Sequence, residues 1–160
     1  MGKLIFAFQL LAIAIGSSGV AQKQTPAAPT HSLKPCSREE ERQASDEYEE
    51  LKIWEDIYQS FNRYGHCDDG AIAEGYSDKV VHLLATNWKS FPELNRLAKK
   101  DPAFRNFVIR HINGTADTHE LRSAQQNARR RCPVEGKALC RVIDHQVTQE
   151  FQLIRSLPAR

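Results

Sequence analysis

The sequence predicts an all-α fold, an irregular bundle of about six helices stapled by two disulfides, and three observations carry that prediction. Apolar residues recur at steps of three and four along most of the chain, with no alternating strand-length pattern. Helix-opening residues stand ahead of those runs and turn formers follow them. Four cysteines, Cys36, Cys67, Cys132 and Cys140, come after an N-terminal segment with the layout of an export signal.

That segment sets the division of the chain. Lys3 supplies a basic start, Leu4 to Gly16 an apolar run, and Ser17 to Ala21 a small-residue end, so residues 1–21 read as a signal peptide. The run is shorter than the roughly 20 residues that span a bilayer, and no later stretch comes closer. No membrane anchor is therefore expected after cleavage. Residues 22–35, rich in Pro, Ala, Thr and Gln without periodicity, read as a flexible leader. Residues 36–158 are left as one helical domain, expected to be secreted or periplasmic. In such a compartment an even set of cysteines reads as disulfides before it reads as a thiolate site.

The elements follow in order. Ser37 stands three residues before Glu40, a reciprocal capping pair, and Ala44, Tyr48, Leu51, Trp54, Ile57, Tyr58 and Phe61 then continue one stripe. The spacing predicts one long helix to about Asn62. Asp68 or Asp69 caps a helix starting near Gly70, whose core face carries Ile72, Tyr76, Val80, Leu83 and Leu84. Ala71 and Gly75 stand four apart, and a glycine costly inside a helix predicts a close approach by a second helix there or, alternatively, a kink at Gly75 to Ser77. Ser90 and Glu93 repeat the capping pair for a short helix to Lys100. Asp101-Pro102 opens the next, with Phe104, Phe107, Val108, His111 and Ile112 inward and Gly114 at its end. Asp117 and Glu120 cap a helix that closes in Arg129, Arg130, Arg131 and Cys132. The last helix carries Leu139, Val142, Ile143, Val147, Phe151 and Ile154 and stops before Pro158.

Helix length constrains the disulfides. A continuous helix from Ser37 to Phe61 is about 37 Å long, and the six residues to Cys67 retrace only about 20 Å. Cys36 then reaches Cys67 only if the first helix breaks. The preferred pairing is Cys67 with Cys132 and Cys36 with Cys140.

Charge is unevenly spread along a chain of formal net charge +2. Cys36 to Gly70 holds eleven Asp or Glu against four Lys or Arg, a balance of −7, and Ala71 to Arg160 a balance of +6. Either the acidic first helix lies across the basic remainder, or one face is offered to a partner of opposite charge.

No nucleophile elbow, phosphate-cradling loop or zinc-protease motif occurs, so no catalytic residue, cofactor or resident metal is assigned. His66, Cys67, Asp68 and Asp69 are the dense cluster of ligand types, and a disulfide plus a helix cap accounts for them without a metal. His82, His111, His119 and His145 stand singly, with His82 and His111 near apolar faces. Arg129, Arg130 and Arg131, with Arg122 and Arg141, are the candidate partner-binding residues, although successive arginines on a helix point in different directions. Asn113-Gly114-Thr115 matches the glycosylation sequon, which matters only in a eukaryote.

The run HCDDGAIAEGYSDKVV resembles stretches of uncharacterised bacterial secreted proteins. Small disulfide-stapled helical periplasmic proteins include immunity proteins against type VI secretion amidases, a likeness of class without a shared motif. The function expected is thus a non-enzymatic protein-binding module of inhibitor or immunity type, with a protein partner and no nucleic acid. The alternatives are a metal-dependent or acid/base enzyme using Asp68, Asp69 and a histidine, and a carrier of a small apolar ligand.

Overall fold

The computed structural model describes residues 34–156. The expected signal peptide, most of the expected leader and the expected stop before Pro158 lie outside the described residues. Within them seven α-helices and no strands occur: α1 Arg38–Glu47, α2 Trp54–Tyr64, α3 Gly70–Thr86, α4 Phe91–Lys100, α5 Pro102–Arg110, α6 Thr118–Arg130 and α7 Lys137–Ser156. Short 3-10 turns precede α3, α4 and α7, and another, Tyr48–Glu50, follows α1.

The single long helix expected at the N-terminus is two. The chain leaves the helical region at Leu51, and the Asp56 carboxylate accepts from the backbone N–H groups of Lys52 and Ile53, each at 3.0 Å. Asp56 thereby restarts the helix at Trp54. The stripe survives the break because each half buries its own part: Ala44 from α1, and Trp54, Ile57 and Phe61 from α2. Folding back brings Cys36 beside Cys67, and the disulfides are Cys36–Cys67 and Cys132–Cys140. The preferred pairing was wrong because its premise, an unbroken first helix, was wrong.

Most helix starts match their signals. Ser37 and Glu40 form the reciprocal cap, Asp69 accepts from the Gly70 amide, Asp101 from Ala103 and Phe104, and Asp117 from His119 and Glu120. Ser90 does not cap α4; its hydroxyl donates to the Asn87 carbonyl while Trp88–Ser90 makes a 3-10 turn. Helix α5 ends at Arg110, before Gly114, because His111 and Ile112 turn back onto Phe107 and Ile109.

The core lies among α2 to α7. Helix α3 packs most extensively on α6, and α6 on α7. Trp54, Phe91, Phe104, Phe107, Leu94, Leu121 and Ile143 are fully buried. Phe107 stands 4.9 Å from both Phe61 and Tyr76, centroid to centroid, knitting α2, α3 and α5 together. At Gly75 the close neighbour is a ring rather than a helix backbone: a Cβ there would come 2.9 Å from Cδ2 of Tyr48.

Gly136 is more restrictive. A methyl at that position would overlap Cε1 of Phe91 and lie 3.0 Å from its Cζ, and Phe91 is itself 1% exposed with nowhere to move. Gly136→Ala is expected to cost about 2 kcal/mol by overpacking, read as a lower urea midpoint with an unchanged slope. An unchanged midpoint would mean that the ring gives way.

Candidate functional site

Helices α6 and α7 run side by side at the surface, and the seam between them forms two adjoining grooves. The first, of about 490 Å³, is lined by Phe151 and Ile154 together with Arg122, Arg129, Arg130 and Arg155. The second, of about 510 Å³, continues past Arg129 and Arg130 to Lys137, Arg141 and the Cys132–Cys140 disulfide. Seven residues separate Arg122 from Arg129, and fourteen separate Arg141 from Arg155, spacings that return each pair to about the same helix face. Six cations therefore line one seam. The carboxylate among them is Asp144, whose Oδ1 accepts from Arg129 Nε at 2.7 Å.

The arginine run divides as its helical geometry requires. Arg129 and Arg130 line both grooves. Arg131, where α6 ends, turns back so that its Nη1 donates to Asn127 Oδ1 at 3.2 Å, while its carbonyl accepts from Trp88 Nε1 at 2.9 Å. Arg155 and Lys137, which sequence reasoning passed over, join the seam; the fourteen-residue step from Arg141 to Arg155 was the available signal. Arg122 also stacks over Phe151, 5.4 Å from the ring centroid.

The acidic N-terminal hairpin does not cover this seam. That hairpin is α1 with α2: α1 also contacts α3 and the Gly65–Cys67 turn, α2 contacts α3 and α4, and the ion pairs include Glu47–Arg63, Glu49–Lys79 and Glu55–Arg96. Acids of the first segment thus meet bases of the remainder at Glu49–Lys79 and Glu55–Arg96, away from the two seam grooves.

A second cluster is buried. The His111 Nε2 atom lies 3.1 and 3.2 Å from the two carboxylate oxygens of Asp68, and Arg110 Nη2 donates to the same carboxylate at 3.0 Å. On the other side of the ring, His111 Nδ1 lies 3.0 Å from Ser77 Oγ, which also accepts from the Asn113 amide at 3.0 Å. Burial pushes the Asp68 carboxyl up. The His111 hydrogen bond and charge, with the Arg110 guanidinium, outweigh it and hold that carboxyl below its ordinary value.

Asp68, His111 and Ser77 have the order of a nucleophilic triad but not its access. Ser77 is 1% exposed, its hydroxyl donates to the Ala73 carbonyl at 2.9 Å, and no acyl substrate reaches a group so enclosed. What the cluster does is clamp α3, α5 and the turn bearing Cys67. The sequence places Asp68 and His111 without showing that they meet.

The remaining candidates disperse. Glu40, His66 and Cys67 converge, but Cys67 is spent in its disulfide and offers no thiolate, which leaves two ligands. Lys34 and Ser37 hydrogen bonds hold the Glu40 carboxyl down at about 2. Asp69 is a helix cap. His82 is exposed, contrary to its expected place near an apolar face, with Nδ1 2.8 Å from Glu120 Oε1. The Asn113 side chain is engaged on Ser77, the Arg110 carbonyl and Thr115, which ties down the sequon.

Between the N-terminal hairpin and α3 a third groove, of about 440 Å³, is lined by Tyr48, Leu51, Ile72 and Tyr76 among others. Among the described residues no helix is long and apolar enough to cross a membrane. Compared with family models, with curated proteins and with solved structures, the chain matches none.

Proposed function

We propose that this chain is an exported, non-enzymatic binding protein that takes an acidic surface of a partner protein into the α6–α7 seam. The observation that carries the reading is six cations along one seam with a single carboxylate among them, uncovered by the acidic hairpin of the same molecule. Such a face steers an oppositely charged partner and sets the register of docking. The half-buried Phe151 and Ile154 add apolar area to the first groove. Two disulfides support an oxidising compartment, where an inhibitor or immunity protein of this size would work.

Affinity capture with the oxidised chain as bait, at low and moderate salt, tests the reading. A retained protein should elute with salt, and Arg122→Glu with Arg130→Glu should weaken its binding at least tenfold, about 1.4 kcal/mol. Arg131→Gln should bind like the parent, since Arg131 does not line either groove. Retention indifferent to the double reversal, or loss on Arg131→Gln alone, would refute this docking face.

The groove beside Tyr48 and Tyr76 favours a second reading, a carrier of a small apolar ligand. Displacement of a bound environment-sensitive dye, abolished by Gly75→Leu, would support it; no dye binding would remove it.

A further inference from the structure

The two disulfides stand in opposite electrostatic settings. Cys132–Cys140 lines the second seam groove together with Arg129, Arg130, Lys137 and Arg141, against the single carboxylate of Asp144. Cys36–Cys67 lines a groove of about 390 Å³ whose charged members are Glu41 and Asp69, with His66 beside them. Both bridges are open to a small reagent, and the charge that greets the reagent has opposite sign.

We propose that Cys132–Cys140 is a thiol–disulfide exchange site for a small anionic thiol of the glutathione type, bound by the cations of the second seam groove. A groove of about 510 Å³ is of the size that takes small-molecule ligands. Lys137, Arg130 and Arg141 offer the carboxylates of such a thiol their counter-charges. Cys132 is half-buried and Cys140 is 3% exposed, so attack falls on Cys132.

The incoming thiolate forms a bond to Cys132 Sγ, the Cys132–Cys140 bond breaks, and its electron pair leaves on Cys140 Sγ. That thiolate sits four residues into α7, among Lys137 and Arg141, a setting that stabilises the anion before water protonates it. A second thiolate attacks the small-thiol sulfur of the mixed disulfide and releases the oxidised disulfide of the reagent with Cys132 thiolate. Two small thiols are oxidised, and one protein disulfide is reduced to two thiols.

The fold tolerates this opening. The end of α6 is held independently by Trp88 Nε1 on the Arg131 carbonyl and by the Asn127 amide, which donates to the carbonyls of Leu84 and Ala85 at 3.0 Å. The loop released spans a sequence separation of only 8, against 31 for the other bridge.

The test treats the oxidised chain with limiting glutathione, with neutral mercaptoethanol and with cationic cysteamine at one pH, and maps the opened disulfide by mass. Each rate is taken as the ratio of Cys132–Cys140 to Cys36–Cys67, which cancels intrinsic thiol reactivity; comparing that ratio between reagents cancels the difference in exposure. Glutathione should raise the ratio at least tenfold over mercaptoethanol, and cysteamine should lower it below the neutral value. High salt, or Lys137→Gln with Arg141→Gln, should bring the three ratios together. One common ratio for all three reagents, or a glutathione adduct mapped mainly to Cys36 or Cys67, overturns the proposal; the salt arm decides the matter if the double variant fails to fold.

Discussion

Replacing Cys36 and Cys67 by serine should destabilise the chain more than replacing Cys132 and Cys140. From the loop-closure entropy of a cross-link, sequence separations of 31 and 8 correspond to about 3.7 and about 2.5 kcal/mol. The larger loss also has a definite address. Helix α1 contributes one buried residue, Ala44; its other ties include Glu47 with Arg63, Gln43 with Tyr64, Glu40 with His66, Tyr48 just after it on Asp78, and the bridge at its head. A helix with so little apolar area in the core depends on a covalent tie. Urea unfolding of the two double variants measures the order, and hydrogen exchange should show Arg38–Glu47 losing protection first in the Cys36/Cys67 variant. Equal losses, or a protected α1, would mean that packing alone holds the hairpin.

The second large effect centres on Asp68. Its carboxylate faces His111, 4% exposed at the side chain, and Arg110. Asp68→Asn keeps the volume but removes the charge that both donors approach, and the expected cost is about 3 kcal/mol, a fall in melting temperature of roughly 10 °C. The pH dependence follows from the direction of the shift. Because the folded carboxyl lies below its ordinary value, its contribution is complete above about 3.9 and is lost as pH falls through the folded value. The gap in melting temperature between parent and Asp68→Asn should therefore be full above about pH 3.9 and narrow as pH falls below it. A gap of constant width across that range would show that the carboxylate charge is not what stabilises the clamp.

Both predictions concern contacts that the sequence lists without joining. The positions of the helices are legible because caps and periodicity are local: Ser37 with Glu40, Asp69, Asp101 and Asp117 act within three residues of themselves. The inward faces are legible for the same reason, and Phe104, Phe107, Val108, His111 and Ile112 are buried as their spacing indicates. The break after α1 is not, since an amphipathic stripe through Leu51 and Trp54 fits one helix or two. Only the capping of Lys52 and Ile53 by Asp56 distinguishes them. The break at residues 51–53 decides both disulfides.

For the candidate site, Arg122, Arg129, Arg130 and Arg141 were visible as basic residues, but not as one row. Their union depends on α7 lying against α6, which adds Arg155 and Lys137, while Arg131 at the end of α6 turns back onto Asn127. By itself the sequence determined an all-α chain, its helix starts, its core faces and its segregated charge, because these depend on neighbours within one or two turns. Which helices touch, which cysteines pair and which charges share a groove were decided only in the tertiary structure. Burial of apolar faces selects the packing, and the short interhelical turns then bring together residues far apart in sequence, such as Asp68 and His111, 43 positions apart.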